Sequence, residues 1–188
     1  MTDTLRLREA VKTLNAGGVI GYPTEAVFGV GCDPWDEEAL LRLLELKQRP
    51  WHKGLILIAS DFNQLQDFIK PVDAKLLAEL NKTWPGPVTW LLPVREEVPM
   101  LLTGLHDTIA VRVTAHPQTR ALCEAFGGAI VSTSANLNGL RPAMNVHQVR
   151  WQLPELDYVL AGSLGGAKNQ AKLEMHKQEK FYDEYTGY

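Results

Sequence analysis

Short apolar runs of strand length and longer helical patterns follow one another in irregular order along this chain. The first helical pattern places Leu7, Val11 and Leu14 at helical spacing, and a strand-like run follows it after Gly17. Because helices and strands interleave without strict alternation, the order predicts an α/β (α+β-like) single domain, with a twisted sheet of mixed parallel and antiparallel strands flanked by helices. The predicted strands are 19–22, 55–58, 88–92, 108–113, 129–132 and 158–160, and the predicted helices are one near 7–14, 37–46, one after Asp61, 72–82, 116–126 and 146–152.

Size and composition restrict the class of protein. The 188 residues, 45% of them apolar and 22% charged, fit one globular domain. No apolar run approaches the ~20 residues that cross a bilayer, and the first residues lack a secretory pattern. Cys32 and Cys123 form no metal or redox motif, so we expect a cytoplasmic protein without a membrane partner. We expect the domain to span 1–166, and a polar tail, 167–188, to pack weakly or to be disordered.

Net charge and missing motifs exclude several functions. A net charge of −3 argues against a protein that coats nucleic acid, which needs an excess of basic residues on one face. The sequence contains no phosphate-binding P-loop and no Gly-x-Ser-x-Gly nucleophile motif. Gly29-Val30-Gly31 does not continue into a dinucleotide fingerprint, because Pro34 stands where the third glycine belongs. The histidines are too far apart in sequence to indicate a protein-held transition metal.

A dense set of neutral hydrogen-bonding groups follows one predicted strand. Ser132, Thr133, Ser134 and Asn136 lie within five residues, at the end of the apolar run 128–131. Open α/β sheets bind ligands at such strand ends. Three hydroxyls and a carboxamide suit a triphosphate or a small zwitterion and exceed what a simple turn needs.

A second cluster carries positive charge. Lys47, Arg49 and Lys53 lie between a helical pattern and the predicted strand 55–58. They could neutralise an anionic ligand, or they could form a solvated helix end in which basic residues complement the helix dipole.

Residues 23–34 form a predicted loop rich in proline and glycine. Thr24 comes directly after the first strand, so its hydroxyl could face the same crevice as Ser132 and Ser134. The alternative is a tight structural connection in which Glu25 caps the backbone that follows.

Arg112 lies inside an apolar predicted strand. The period of two places Ile109, Val111 and Val113 on one face and Arg112 on the other. An unpaired buried guanidinium is too costly. Arg112 must therefore pair with a structural carboxylate or reach a cavity that holds an anionic ligand.

Four segments, in their order and spacing, resemble the YrdC-like family: 22–25 (YPTE), 47–50 (KQRP), 110–113 (AVRV) and 132–136 (STSAN). The resemblance covers about 10–166 and implies a YrdC-like fold with an open concave cleft. It also implies an adenylylating enzyme that converts L-threonine, bicarbonate and ATP into threonylcarbamoyl-adenylate and pyrophosphate. Partner proteins then use the adenylate to modify the adenosine next to the anticodon of certain tRNAs.

The resemblance also implies roles for individual residues. Around L-threonine it places Thr24, Arg112 and Ser132, with Arg112 on the carboxylate. Lys47 and Arg49 are the expected catalytic residues, and Mg²⁺, held mainly by the phosphates, is the expected metal. The residues that it places around ATP are Arg49, Lys53, Thr108, Ser134, Asn136 and, through its backbone, Pro142.

The end of the sequence departs from the family pattern. After Gly166 the family pattern has Arg, then Asn-Pro-Ser and a short Ile-Arg-Asp run, whereas this chain continues Ala-Lys-Asn-Gln-Ala-Lys. A cation and a hydroxyl expected near ATP are therefore missing, unless Lys168 replaces the arginine. We hypothesise that this tail weakens ATP binding and synthesis.

The sequence leaves two other functions open. One is an RNA-binding or ribosome-assembly module, with contact to tRNA or double-stranded RNA, because the resemblance also implies a basic concave face. The other is the carbamoyl-adenylate domain of hydrogenase maturation, which belongs to much longer chains with zinc-finger and acylphosphatase modules.

Overall fold

The computed structural model describes residues 3–167 and the backbone of 172–175. Its α-helices are α1 (Asp3–Asn15), α2 (Glu37–Leu46), α3 (Ala74–Leu80), α4 (Met100–Thr103), α5 (Pro117–Phe126) and α6 (Val146–Gln152). Its strands are β1 (Ile20–Pro23), β2 (Phe28–Gly31), β3 (Ile56–Ala59), β4 (Val88–Pro93), β5 (Thr108–Val113), β6 (Ile130–Ser134), β7 (Tyr158–Val159) and β8 (Lys172–Met175). In the described part of the chain no helix is long and apolar enough to span a membrane.

The described strands form one mixed sheet in the order β7-β1-β2-β6-β3-β5-β4-β8. The pairs β1–β7, β3–β5 and β4–β8 are parallel, and the pairs β1–β2, β2–β6, β3–β6 and β4–β5 are antiparallel. The mixed sheet flanked by helices confirms the fold class predicted from the irregular order of elements.

Helices cover the two faces of the sheet unequally. On one face, the side chains of β2, β3, β5 and β6 pack against α2, α3 and α6 in the main hydrophobic core, which includes Leu40, Leu80 and Val149. On the other face, α1 and α5 pack over Tyr22, Ile58 and other apolar residues of the neighbouring strands. The remainder of this second face carries Arg112 and Ser132, so it is the face on which a polar site can form.

Polar caps fix the starts of the helices. Asp36 accepts a hydrogen bond from the backbone N–H of Ala39 (3.0 Å), and Asp73 accepts one from Leu76 (2.7 Å). Such caps satisfy N–H groups that have no partner within the helix. The helices predicted at 37–46, 72–82, 116–126 and 146–152 are confirmed within a few residues of their bounds.

The predicted loop 23–34 is wrong in its centre, because β2 occupies Phe28–Gly31. Its Gly-Val-Gly sequence has low strand propensity, which hid it. Packing explains why residue 31 is a glycine, because a Cβ at Gly31 would overlap the carbonyl oxygen of Val131 on β6. Close approach of two backbones, rather than a turn, explains this residue.

Three further elements differ from the prediction. After Asp61 the chain forms only a short 3₁₀ helix, Phe62–Leu65, although the Asp61 carboxylate caps it by accepting from the N–H of Asn63 (2.7 Å). Helix α4 and strand β8 were not predicted, and β8 pairs with β4 inside the segment expected to pack weakly. The rest of the predicted tail, 168–171 and 176–188, lies outside the described residues.

Candidate active site

The turn between β1 and β2 crosses the open face of the sheet. In the sheet order β2, β6 and β3 lie between β1 and β5, yet Glu25 of this turn contacts residues at the end of β5. The turn is held by a hydrogen bond from the Thr24 hydroxyl to the carbonyl of Val27 (2.7 Å). The backbone after β7 also joins it, because Gly165 donates to the carbonyl of Thr24 (3.1 Å). The turn therefore lies over the face of the sheet that carries Arg112.

Arg112 finds a carboxylate in that turn. Its Nη2 lies 3.8 Å from Oε2 of Glu25, and both side chains are buried, with about a tenth of their surface exposed. The second oxygen of Glu25, Oε1, accepts hydrogen bonds from the Thr114 hydroxyl (2.6 Å) and from the backbone N–H of Ala115 (3.1 Å). Of the two alternatives for Arg112, the carboxylate partner is therefore present, and it lies next to Thr24.

The charge of Glu25 is maintained in this environment. Burial acts to raise its pKa, but the charge of Arg112 and the hydrogen bonds from Thr114 and Ala115 outweigh burial, so the pKa lies below its ordinary value. At neutral pH the buried pair therefore consists of a carboxylate and a guanidinium.

Ser132 lies in the same neighbourhood. It is buried on β6, and its hydroxyl is hydrogen-bonded to that of Tyr22, which in turn donates to the carbonyl of Val131 (2.8 Å). Burial raises the pKa of Tyr22, while the hydrogen bond with Ser132 and the charge of Arg112 act in the opposite direction. The structure thus brings together the three residues expected around threonine: Thr24, Arg112 and Ser132.

Lys47 reaches the exit of β6 from the end of α2. Its Nζ donates to the carbonyl oxygens of Ser134 and of Asn136, the latter at 2.7 Å. Ser134 in turn donates from its hydroxyl to the side-chain oxygen of Asn136. The side-chain amide of Asn136 donates to the carbonyls of Leu137 (3.0 Å) and Leu140 (2.9 Å). These contacts join the cationic cluster to the hydroxyl-rich strand end.

Burial changes the acidity of Lys47. Removal from water, and then the positive charge of Arg49, lower its pKa to about 7. The amine therefore changes charge near neutral pH, while its two carbonyl acceptors need no charge on it.

Arg49 and Lys53 flank the start of β3. Arg49 donates from Nε (3.2 Å) and Nη2 (3.1 Å) to the carbonyl of Gly54. Lys53 immediately precedes Gly54 and ends the 3₁₀ helix Trp51–Lys53. Gly54 has a φ of 66° and lies against the backbone of Leu102 and Thr103, so a side chain here would be strained. The basic segment is thus shaped by backbone contacts rather than being a solvated helix end.

Thr108 and Pro142 lie further along the same edge. Thr108 begins β5, and Pro142 precedes Ala143, whose N–H donates to the carbonyl of Ala135 (3.0 Å). Pro142 is therefore one residue away from a backbone hydrogen bond to the β6 exit.

Strand register shows that residues expected around threonine and residues expected around ATP lie on one face of the sheet. Ile56 of β3 lies opposite Ser132, and Ile58 opposite Arg112. Residues two apart on a strand point to the same side, so Ser132, Ser134, Thr108 and Arg112 all lie on the open face. With a strand spacing of about 4.8 Å, Ser132 and Arg112 are roughly 12 Å apart at their Cα atoms, close enough for one small ligand to span them.

Glu25 is the functional candidate that sequence reasoning missed. The sequence offered a signal, since Arg112 required a carboxylate and Glu25 stood beside a candidate hydroxyl. In the described part of the chain no three His, Cys, Asp or Glu side chains group closely enough to hold a metal ion. The hydroxyl and cationic side chains at the β6 exit suit phosphate oxygens. A Mg²⁺ ion at this site would therefore take its ligands from phosphate and water.

A family model described as "Telomere recombination", that of the Sua5, YciO and YrdC proteins, matches residues 12–171. The chain belongs to this family. A protein from Nitrosococcus oceani named threonylcarbamoyl-AMP synthase is 53% identical over 161 residues, which cover 85% of this chain and 87% of the relative.

Solved structures of the family have the same fold. That of P. abyssi Sua5 complexed with L-threonine superposes with a TM-score of 0.86 at 30% identity, covering 92% of this chain and 51% of that one. The chain thus spans about half the length of Sua5. The structure of E. coli YciO gives a TM-score of 0.81 at 27% identity, covering 95% of this chain and 86% of that protein.

Proposed function

We propose that this protein is a nucleotidyltransferase that makes L-threonylcarbamoyl-adenylate from L-threonine, bicarbonate and ATP, with release of pyrophosphate. The observation that carries this proposal is the single open face on which Arg112 and Ser132 lie beside the exit of β6, where Lys47 holds the backbone of Ser134. The name threonylcarbamoyl-AMP synthase, carried by relatives about half identical in sequence, supports it.

Arg112, Thr24 and Ser132 are the proposed threonine site. A guanidinium binds a carboxylate through two parallel hydrogen bonds, and Arg112 is buried, so water competes weakly there. The proton of the Thr24 hydroxyl is used by the carbonyl of Val27, so its oxygen is a neutral acceptor for the side-chain hydroxyl of threonine, and Ser132 supplies a further neutral group. The crystal complex of Sua5 with L-threonine supports this choice of ligand.

Arg49, Lys53, Thr108, Ser134, Asn136 and Pro142 are the proposed ATP site, with Lys47 behind it. Threonylcarbamate and the triphosphate are both anions, and two like charges ~4 Å apart repel by about 4 kcal/mol at an intermediate dielectric. Cations fixed at the strand end offset this repulsion before the reaction begins. Arg49 is therefore expected to act on turnover more than on threonine binding.

The reaction needs position and charge rather than a covalent nucleophile. A carbamate oxygen attacks the α-phosphorus of ATP, the bond from that phosphorus to the bridging oxygen breaks, and pyrophosphate leaves with the electron pair. Arg49 and Lys53 stabilise the charge that develops on the leaving group, and the shared face holds the two reactants together. A Mg²⁺ ion held mainly by the phosphates would neutralise further charge there.

Release of pyrophosphate from ATP by the purified chain tests the proposal. We expect release only when L-threonine and bicarbonate are both present, so omission of either is the internal control. Pyrophosphate release that ignores threonine, or none at all with the folded protein, would contradict the proposed activity.

The RNA-binding alternative predicts a different result. A protein that binds RNA mainly through phosphates loses affinity steeply as salt rises. Filter binding of tRNA and of double-stranded RNA across a salt series therefore separates that function from synthesis.

We propose that the adenylate passes to the proteins that modify tRNA next to the anticodon, and that the reaction takes place in the cytoplasm.

A further inference from the structure

Arg112 and Glu25 are buried together without completing each other's hydrogen bonds. The 3.8 Å between Nη2 and Oε2 is longer than the ~2.8 Å of a charge-assisted hydrogen bond. Among the described residues, neither Oε2 of Glu25 nor Nε of Arg112 has any hydrogen-bond partner, although both atoms are buried. Leaving charged atoms buried and unsatisfied is costly, so this arrangement is poorly explained by a purely structural ion pair.

The rest of the Glu25 side chain is firmly held. Oε1 accepts from Thr114 and Ala115, and the carbonyl oxygen of Glu25 accepts from the N–H of Ala167 (2.9 Å). The oxygen of Thr114 also accepts from the N–H of His116 (3.1 Å), which orients its hydroxyl toward Glu25. These contacts leave Oε2, on the side of Arg112, as the acceptor that a ligand can use.

The 3.8 Å between Nη2 of Arg112 and Oε2 of Glu25 is close to a spacing found within an α-amino acid. In such a molecule the nitrogen and the nearer carboxylate oxygen are about 3 Å apart, as standard bond lengths require. A ligand lying alongside the pair can donate from its ammonium group to Oε2 and accept from Arg112 at its carboxylate. A net-neutral pair also suits a zwitterion better than it suits a simple carboxylate, which Glu25 repels.

We propose that Glu25 binds the α-ammonium group of the amino-acid substrate while Arg112 binds its carboxylate. The inference rests on the proposed function and adds a residue and a selectivity to it. Glu25 makes the site selective for α-amino acids over the corresponding α-hydroxy acids. When bicarbonate carboxylates the nitrogen, the N–C bond forms, one bicarbonate oxygen leaves as water and one proton passes to solvent. The N–H that remains still donates to Oε2, so the same contact keeps the carbamate in place.

Calorimetric binding of two ligands to the full chain tests this inference. The ligands are L-threonine and the 2,3-dihydroxybutanoate of matched stereochemistry, in which a hydroxyl replaces the ammonium group. We expect the unaltered protein to bind threonine at least about tenfold more tightly. Glu25→Gln keeps an oxygen for Thr114 and Ala115, and we expect it to weaken threonine binding about 10- to 100-fold while the hydroxy acid binds as well or better.

If Glu25 had only a structural role, Glu25→Gln would not change the preference for threonine over the hydroxy acid. If Glu25→Gln weakens both ligands equally, or neither, the inference is wrong while the proposed function stands. Equal affinity of the unaltered protein for the two ligands contradicts the inference without any variant, so the test survives a variant that does not fold. Glu25→Asp, which keeps the charge, should retain part of the preference for threonine. Failure of the unaltered protein to bind threonine would contradict the proposed function and this inference together.

Discussion

Arg112 shows at the residue scale what the sequence could and could not predict about the site. Its place in an apolar strand required a partner, and that requirement followed from the cost of burying charge. The identity of the partner did not follow, because Glu25 lies on another strand connection and meets Arg112 only through the fold. Lys47 is similar: its charge was evident, whereas its bonds to two backbone carbonyls depend on how α2 ends beside β6.

Arg112 and Arg49 should affect different kinetic parameters. We expect Arg112→Ala to raise the KM for threonine at least about tenfold, since it removes a charged hydrogen-bonding partner of the carboxylate. Arg49→Ala should lower kcat about 100-fold or more with little change in threonine affinity, because it removes charge stabilisation at the leaving group. Steady-state pyrophosphate release gives both parameters.

Arg150 is exposed, so the Arg150→Ala variant is the matched control for the loss of one positive charge. It should change neither parameter. Unchanged kinetics in Arg112→Ala or Arg49→Ala would remove that residue from the proposed site.

The lowered pKa of Lys47 predicts a contribution to the free energy of unfolding that depends on pH. Its pKa is about 7 in the folded protein and near 10.5 when the chain is unfolded. Between these values the unfolded chain binds the extra proton, so the free energy of unfolding should rise with pH by up to about 1.4 kcal/mol per unit. Below pH 7 this contribution should be flat.

Denaturant titrations of the unaltered protein and of Lys47→Met measure this effect. The methionine does not titrate, so the difference between the two proteins isolates Lys47. A difference that stays constant from pH 7 to pH 10 would show that the lysine keeps its proton throughout.

At the scale of elements, the sequence predicted those whose signal is local. Helix α6 and strand β5 have the predicted bounds, because caps, periodicity and β-branched residues coincide there. Strand β2 was missed because its Gly-Val-Gly sequence is selected by contact with β6 rather than by propensity. The short helix α4 gives too few residues for a period to appear.

Gly31→Ala tests that explanation of β2. The added Cβ would push against the backbone of β6, the strand that carries Ser132, so we expect a loss of at least about 3 kcal/mol in the free energy of unfolding. Gly128→Ala is the control, since no atom lies within 4 Å of a Cβ at that position. It should be neutral or slightly stabilising. Similar stabilities for the two variants would mean that β2 does not need its glycine.

At the scale of the whole molecule, the site exists because the turn between β1 and β2 crosses the open face of the sheet. The cleft joins residues from the first, second and last thirds of the sequence, and no local pattern specifies that meeting. The family resemblance could predict it because relatives share the entire fold, as the superposition on YciO illustrates.

The sequence departs from the family pattern after Gly166, and this departure leads to a prediction about ATP binding by the whole protein. If the tail lacks groups that bind ATP, replacing 167–188 by a family-type ending, with its arginine and Asn-Pro-Ser, should lower the KM for ATP and raise the rate. Pyrophosphate release by the two proteins provides the comparison. No gain with the family-type ending would count against the hypothesis that this tail weakens synthesis.

In the proposed reaction, one site joins threonine, bicarbonate and ATP into a single product. Mass spectrometry of a reaction with ¹³C-labelled bicarbonate follows the bicarbonate carbon into that product. We expect an adenylate that contains threonine and one labelled carbon, formed by the unaltered protein and strongly reduced in Arg49→Ala. An adenylate without the labelled carbon, or equal product from the Arg49 variant, would contradict it.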